Sequence, residues 1–284
     1  MPRRAGREPV TAFAALRWVV VVPVKGSNES KSRLASFPLS VAERRDLALA
    51  FALDTVDAIL RAPDVLAVVI VTNDPASAAA LAGLDAAPVR GGGKGSGRDA
   101  ESGSAKALGR GAVIDAIPLP LRAGARDAGG AFGRGAEESP LRVEVIPDAG
   151  SGLNAAIADG LRFARGSWPA AGVAVMTADL PTLDTADVVD ALGRAAGHPR
   201  SFVADADGTG TTTIAARPGE PLRPLFGGAS AARHSAAGLV PLDVPLTSSL
   251  RRDVDTPADV AAVASGALGP RTAELLGRVT DAAL

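Results

Sequence analysis

Hydrophobic positions recur along this chain in two rhythms. "WVVVVPV" (18–24) and "LAVVIVT" (66–72) are short continuous apolar runs rich in Val, the pattern of strands buried on both faces in a parallel sheet. Between them Leu49, Leu53, Val56 and Leu60 recur at spacings of four, three and four, which lines up one apolar face on a helix. Ser40 followed by Glu43 predicts the start of that helix as a capping box, and Pro63 predicts its stop. "NDP" closes the second run and an Ala-rich helical stretch follows. The alternation resumes with "VEVIP" as strand, "LNAAIADGLRFAR" as helix, "GVAVMT" as strand, "DTADVVDALGRAA" as helix and "SFVAD" as strand. Strands alternating with helices predict an α/β fold: a single Rossmann-like domain with a mainly parallel sheet and helices on both faces.

The stretch at about 91–139 breaks the pattern. It opens with "GGGKGSGRDAESGSAKALGRG" and continues to "RAGARDAGGAFGRGAEESP", which is Gly, Ser, Ala and charge without periodicity and reads as a low-complexity insert. "VIDAIPLPL" within it reads as a short strand or a docked segment. The expected organisation is a flexible N-terminus over 1–17, one domain over 18–265 interrupted by the insert, and a C-terminal tail over 266–284.

Composition narrows the chemistry. Lys and Arg total 30 against 31 Asp and Glu, a net charge of −1, so the chain as a whole does not attract nucleic acid or anionic membrane, and neither is expected as a partner. The absence of cysteine excludes disulfides, thiolate metal sites and thiol nucleophiles, and suits a reducing compartment; the cytoplasm is expected. No segment reaches the ~18 uninterrupted apolar residues of a membrane span. His198 precedes a proline and His234 falls in a predicted helix; nothing pairs either with a nucleophile or metal ligand, so neither is expected to act in catalysis.

Six stretches carry candidate chemistry. "VVPVKGSNESKSRL" (21–34) runs from the first strand into a loop with Lys25, Lys31 and Arg33. Gly26, Lys31 and Ser32 approach the Walker pattern, but Ser30 stands where that loop needs its second glycine and the spacing is one residue short, so a P-loop is rejected. What remains is a cationic loop at the carboxyl end of a strand, where open α/β sheets bind ligands and where a triphosphate finds its counter-charges. A solvated surface loop is the plainer alternative.

"VAVMTADLPTLD" (173–184) places Asp179 just past a buried strand, and "SSLRRDVDTPADV" (248–260) supplies Asp253 and Asp255. Carboxylates from two strand ends suit a hard divalent cation that shares oxygen ligands with substrate phosphates. Thr256, Pro257 and Asp259 form a helix start, which gives Asp255 a structural reading and leaves Asp253 as the better partner for Asp179. "DADGTGTTTI" (205–214) and "RPLFGGASAARH" (223–234) offer glycine-rich turns near Thr211, Gly227 and Ser230, and "GSGLNAAI" sets Gly152 and Asn154 at another helix start. Helix starts and glycine turns bind phosphate or carboxylate, and also occur for conformational reasons alone.

Taken in order, "VPVK…KSRL", "GLNAAI", "TADLP", "SFVADADGTGTT", "LFGGASAARH" and "RRDVDTPADV" resemble the phosphoenolpyruvate or 2-phospho-L-lactate guanylyltransferases of coenzyme F-420 biosynthesis, over most of residues 18–265 outside the insert. The resemblance implies a nucleotide-diphospho-sugar-transferase type of fold. It also implies a reaction joining GTP to the phospho-acid, giving enolpyruvoyl-2-diphospho-5'-guanosine or its lactyl analogue and pyrophosphate. It implies that Asp179 and Asp253 hold Mg²⁺ or Mn²⁺ and act in catalysis together with Lys25 and Lys31. Lys25, Lys31 and Arg33 are then nucleotide-phosphate contacts, Gly152 and Asn154 belong to the nucleotide pocket, and Thr211, Gly227 and Ser230 bind phosphoenolpyruvate. The partners implied are GTP and a small phosphorylated carboxylic acid, with the product handed to the next enzyme of the pathway.

The attacking phosphate oxygen is already deprotonated near neutral pH, so this chemistry needs positioning and charge neutralisation rather than a general base. Other sugar-nucleotide or molybdopterin-type nucleotidyltransferases, and a non-catalytic nucleotide-binding regulator, are the alternatives. Many of the former place a Gly-rich, arginine-containing turn after the first strand, where this chain has "VKGSNESKS".

Overall fold

A computed structural model describes residues 16–24, 39–86, 142–264 and 266–282. The two Val-rich runs become β1 (Trp18–Pro23) and β2 (Val65–Val71), joined in the sheet by β3 (Arg142–Ile146) and β4 (Gly172–Met176). β5 (Arg200–Ala204), β6 (Thr211–Ala216) and a two-residue β7 (Val240–Pro241) complete it. The strand order is β3-β2-β1-β4-β6-β5-β7. Every pairing is parallel except those that β6 makes with β4 and β5.

The helices are α1 (Val41–Leu60), α2 (Pro75–Ala82), α3 (Leu153–Ser167), α4 (Thr185–Ala195), α5 (Ser230–Ala236), α6 (Pro257–Ala264) and α7 (Pro270–Ala282). β1 shows why an uninterrupted apolar run was needed. Val20 and Val22 join Val56 and Ile59 of α1 and Val188 and Leu192 of α4 on one face. Val19 and Val21 join Ile157 and Leu161 of α3 on the other. Burying a Val or Ile side chain in this way stabilises the fold by about 1.5–3 kcal/mol, so a polar residue at any of these positions defeats one face or the other. α3 lies close on the sheet because Gly160 lacks a side chain: a Cβ there would come within 2.5 Å of Val21 and 2.8 Å of Val71.

The capping box forms as the sequence predicts. Glu43 N donates to Ser40 Oγ at 3.2 Å, and Ser40 N donates to Glu43 Oε2 at 2.7 Å. Asp74 likewise caps α2 by accepting from Ser77 N at 2.9 Å.

Two features differ from the sequence reading. "GTTTIAA" contains the antiparallel strand β6, whose three consecutive threonines satisfy β-branched strand preference while hiding the apolar signal. It returns from β5 through a tight loop over 205–210 and inserts between β5 and β4. The region expected as a tail carries α7, packed on α1 through Leu275 and Leu276 against a cluster that includes Leu47, Phe51 and Val254. Buried Asp54 of α1 holds the first turn of α7 by accepting from Thr272 N at 2.8 Å and Arg271 N at 3.2 Å. The expected flexible N-terminus up to residue 15 and the insert over 91–139, with "VIDAIPLPL", lie outside the described residues.

Candidate functional site

The chain leaves β1 for β2 and β3 on one side and returns to β4 on the other. The crevice at the carboxyl ends of β1 and β4 is therefore the switch point where open α/β sheets take ligands. A cleft of about 750 Å³ opens there. Its wall includes Pro23 and Val24 after β1, Thr177 to Asp179 after β4, the Asp205 loop before β6, the segment from Phe226 to Ser230, and Asp253 with Asp255.

Asp179 and Asp253 come together through the backbone. Val254 N donates to the Asp179 carbonyl at 3.0 Å, joining segments that are far apart in sequence. Asp179 is also bracketed from behind by Thr55, a fully buried residue of α1. Thr55 Oγ1 accepts from Leu180 N at 3.2 Å and donates to the Ala178 carbonyl at 3.4 Å. Gly269 N adds a 2.7 Å bond to the Pro181 carbonyl, so α1 and the residue before α7 both fix the "TADLP" turn.

The carboxylates of this wall repel one another. Burial pushes Asp253 up to about 7, and the charges of Asp179, Asp255 and Asp205 add to the shift. Concentrated negative charge at a ligand cleft is the electrostatic complement of a cation. Among the described residues no group of three or more His, Asp or Glu is arranged to hold a metal by itself. Two carboxylates facing a cleft fit a different arrangement, in which Mg²⁺ or Mn²⁺ completes its shell with substrate phosphate oxygens and water. By their chemistry, the Asp179 and Asp253 carboxylates could hold such a cation.

Asp205 has another task. Its Oδ1 accepts from Thr209 N at 2.9 Å and its Oδ2 from Gly210 N at 2.7 Å, while Arg251 donates to its carbonyl at 2.8 and 3.2 Å. A Cβ at Gly210 would come within 2.2 Å of Asp205 Oδ2, so a larger residue there would displace this carboxylate from its bonds to the loop. Asp255 also reaches the cleft wall. The start of α6 is held by Asp259, whose Oδ2 accepts from Asp255 N at 3.0 Å and from Thr256 N and Oγ1 at 2.7 and 2.8 Å.

Thr211, Gly227 and Ser230 all line the cleft. Gly227 sits at φ 117 and Ala229 at φ 52, which lets the chain turn sharply into α5. The turn is tied to the β6 side by Ala231 N, which donates to the Thr209 carbonyl at 3.1 Å. Asn154 clamps it from α3: its Nδ2 donates to the Phe226 carbonyl at 3.0 Å and its Oδ1 accepts from Phe226 N at 2.8 Å. Asn154 was expected in the nucleotide pocket. The structure engages its amide with Phe226 and brings its neighbour Leu153 to the cleft instead. Gly152 is the residue before α3, at φ 94, a conformation that favours glycine.

Lys25, Lys31 and Arg33 lie outside the described residues. A cation the sequence reading did not single out, Arg45 of α1, lines the cleft; in "VAERRD" it is indistinguishable from an exposed helix face. His234 was also passed over as a catalyst, and it proves to be a fully buried bridge between Thr211 and Leu225.

The family model described as "Guanylyl transferase CofC like" matches residues 18–82. A phosphoenolpyruvate guanylyltransferase from Thermomonospora curvata is 40% identical over 94% of this chain and 91% of its own length. One from Sanguibacter keddieii is 41% identical over 92% and 84%. Among solved structures, a protein from Desulfovibrio desulfuricans G20 described as a nucleotide-diphospho-sugar transferase aligns with a TM-score of 0.55 at 16% identity, over 93% of this chain and 95% of that one. That last likeness concerns the fold alone.

Proposed function

The chain belongs to the phosphoenolpyruvate guanylyltransferase family, and on that premise we propose that it joins GTP to phosphoenolpyruvate and releases pyrophosphate. A phosphate oxygen of the acid forms a bond to the α-phosphorus of GTP as the bond from that phosphorus to pyrophosphate breaks. The observation that carries this reading is the meeting of Asp179 and Asp253 through the Val254–Asp179 backbone bond, in one cleft with Thr211, Gly227 and Ser230. One wall supplies metal-binding carboxylates and the other supplies hydroxyls for an anionic acid.

On this reading Asp179 and Asp253 hold Mg²⁺ or Mn²⁺, and Arg45 joins Lys25, Lys31 and Arg33 as countercharge for the triphosphate. The metal, when bound, screens the negative charge that builds on the pyrophosphate leaving group. Thr211 and Ser230 hold the acid by their hydroxyls and Gly227 by its backbone. The protein orients two polyanions and neutralises them, chemistry that needs no general base. Asn154 and Gly152 act at one remove in this account, by setting the Phe226 turn and the start of α3.

2-Phospho-L-lactate is the alternative acceptor, and coenzyme F-420 biosynthesis in the cytoplasm is the setting the substrates and family indicate. Among the described residues no helix is long and apolar enough to cross a membrane. The test is pyrophosphate release with Mg²⁺ and each acid, using GTP and ATP in parallel. Release with GTP and phosphoenolpyruvate is expected. Stabilisation by GTP with no release for any acid would instead identify a nucleotide-binding regulator, and preference for a sugar phosphate would identify a sugar-nucleotide enzyme.

A further inference from the structure

His234 is fully buried in α5, with the Phe226 ring edge-on at 5.3 Å and the Phe202 ring at 6.0 Å. Both ring nitrogens are engaged. Leu225 N lies 3.0 Å from Nε2, and Thr211 Oγ1 lies 3.0 Å from Nδ1. A backbone N–H only donates, so Nε2 must present its lone pair. An imidazole with a lone pair on Nε2 is neutral and carries its proton on Nδ1, so Nδ1–H donates to Thr211 Oγ1.

That assignment fixes the polarity of the next group. A threonine hydroxyl has one proton and two lone pairs. With one lone pair taken by the histidine, its own proton is left to donate, and among the described residues no hydrogen bond takes it up. Thr211 stands on the cleft wall, so the proton is available to an oxygen acceptor in the cleft.

We propose that His234 is a positioning residue that makes the Thr211 hydroxyl a donor toward the cleft. The site then accepts a carboxylate or phosphate oxygen at that position and disfavours a ligand that places a donor there. The same ring holds Leu225, the neighbour of Phe226, so a single buried side chain ties Thr211 on β6 to the turn carrying Gly227. Burial pushes His234 down to about 4, which keeps the neutral ring through the neutral range. The assignment of Thr211 to the acid substrate rests on the function proposed above.

The test has two arms. The first is the ¹⁵N spectrum of the histidine rings in the substrate-free protein at pH 7. The chain has only two histidines, so a His198→Gln variant assigns them. A protonated Nδ1 and an unprotonated Nε2 are expected for His234; a protonated Nε2 or a cationic ring overturns the proposal.

The second arm uses His234→Asn, whose amide nitrogen can replace Nδ1–H, and His234→Gln, whose amide oxygen can replace the Nε2 acceptor but leaves Thr211 without its donor. His234→Gln and Thr211→Val should each raise KM for phosphoenolpyruvate about ten- to a hundredfold, the range of a hydrogen bond to a charged group. KM for GTP should change little, His234→Asn should retain most of the wild-type KM, and His234→Gln should add nothing to Thr211→Val. Additive effects, or equal losses for both substrates, would reduce His234 to a packing residue and overturn the proposal. Because the tautomer is read without substrate, a wrong acid assignment would remove the KM effect yet leave the spectrum as expected.

Discussion

Thr55→Val separates the fold from the placement of Asp179. Thr55 is fully buried, and its hydroxyl holds the peptide groups on either side of Asp179, at 3.2 Å to Leu180 N and 3.4 Å to the Ala178 carbonyl. Valine has nearly the same shape, so no cavity opens. What is lost is the acceptor for the Leu180 N–H, and a buried donor left without a partner costs about 1–3 kcal/mol. The longer Ala178 bond contributes less, and the new methyl returns a little through burial. A loss of about 1.5 kcal/mol is expected, which lowers Tm by roughly 3–6 °C in a domain of this size.

The catalytic effect should be larger. Displacing a reacting group by ~1 Å can cost about a hundredfold in rate, so a ten- to hundredfold fall in kcat is expected, together with weaker Mn²⁺ binding. Thermal unfolding, Mn²⁺ titration and initial rates of pyrophosphate release measure the three effects. A variant that melts lower but binds Mn²⁺ and turns over like the wild type refutes the positioning argument. A variant unchanged in every respect refutes the energetic one as well.

Further predictions concern the carboxylates and the Phe226 turn. Asp179→Asn should abolish turnover while the protein stays folded by circular dichroism and thermal melting; near-normal turnover would remove the metal assignment. Asp253 is raised to about 7 by burial and neighbouring charge, above its unfolded value. Its protonation therefore favours the metal-free fold at low pH, and that contribution is lost as pH rises through about 7. Asp253→Asn should accordingly stabilise the metal-free protein relative to wild type at pH 8, and by less at pH 5, while Mn²⁺ affinity of the wild type should rise between pH 6 and pH 8. Melting curves in chelator and titrations at the two pH values check both, and a variant less stable than wild type at pH 8 would contradict the repulsion. Asn154→Ala removes both bonds to Phe226 and should raise KM for phosphoenolpyruvate more than KM for GTP; the reverse order would return Asn154 to the nucleotide pocket.

Much of the fold was legible because its signals are local. Unbroken apolar runs predicted β1 and β2, and Ser40 with Glu43 predicted the start of α1. β6 escaped because its opening threonines follow a glycine-rich loop and resemble more of it. α7 escaped because its anchor is Asp54, on the far side of the chain. The site divides in the same way. Asp179, Asp253, Thr211, Gly227 and Ser230 were marked by their places past strands or at glycine turns, and the structure brings them to one cleft. Thr55 and His234 were not marked, because what they do arises from contacts between distant segments, as between Thr55 and Leu180, and Arg45 was not marked because "VAERRD" has the pattern of an exposed helix face. Asn154 was marked for the nucleotide pocket, and its amide engages the Phe226 backbone, a partner no local pattern identifies.

The most direct measurement is pyrophosphate release from GTP and Mg²⁺ with phosphoenolpyruvate, with 2-phospho-L-lactate and ATP in parallel reactions and Asp179→Asn as the control. Release from GTP with phosphoenolpyruvate, isolation of a guanylylated acid in equal amount, and loss of both in Asp179→Asn are expected. A folded protein that releases no pyrophosphate with either acid, or an Asp179→Asn variant that releases it as fast as wild type, would contradict the proposed guanylyl transfer.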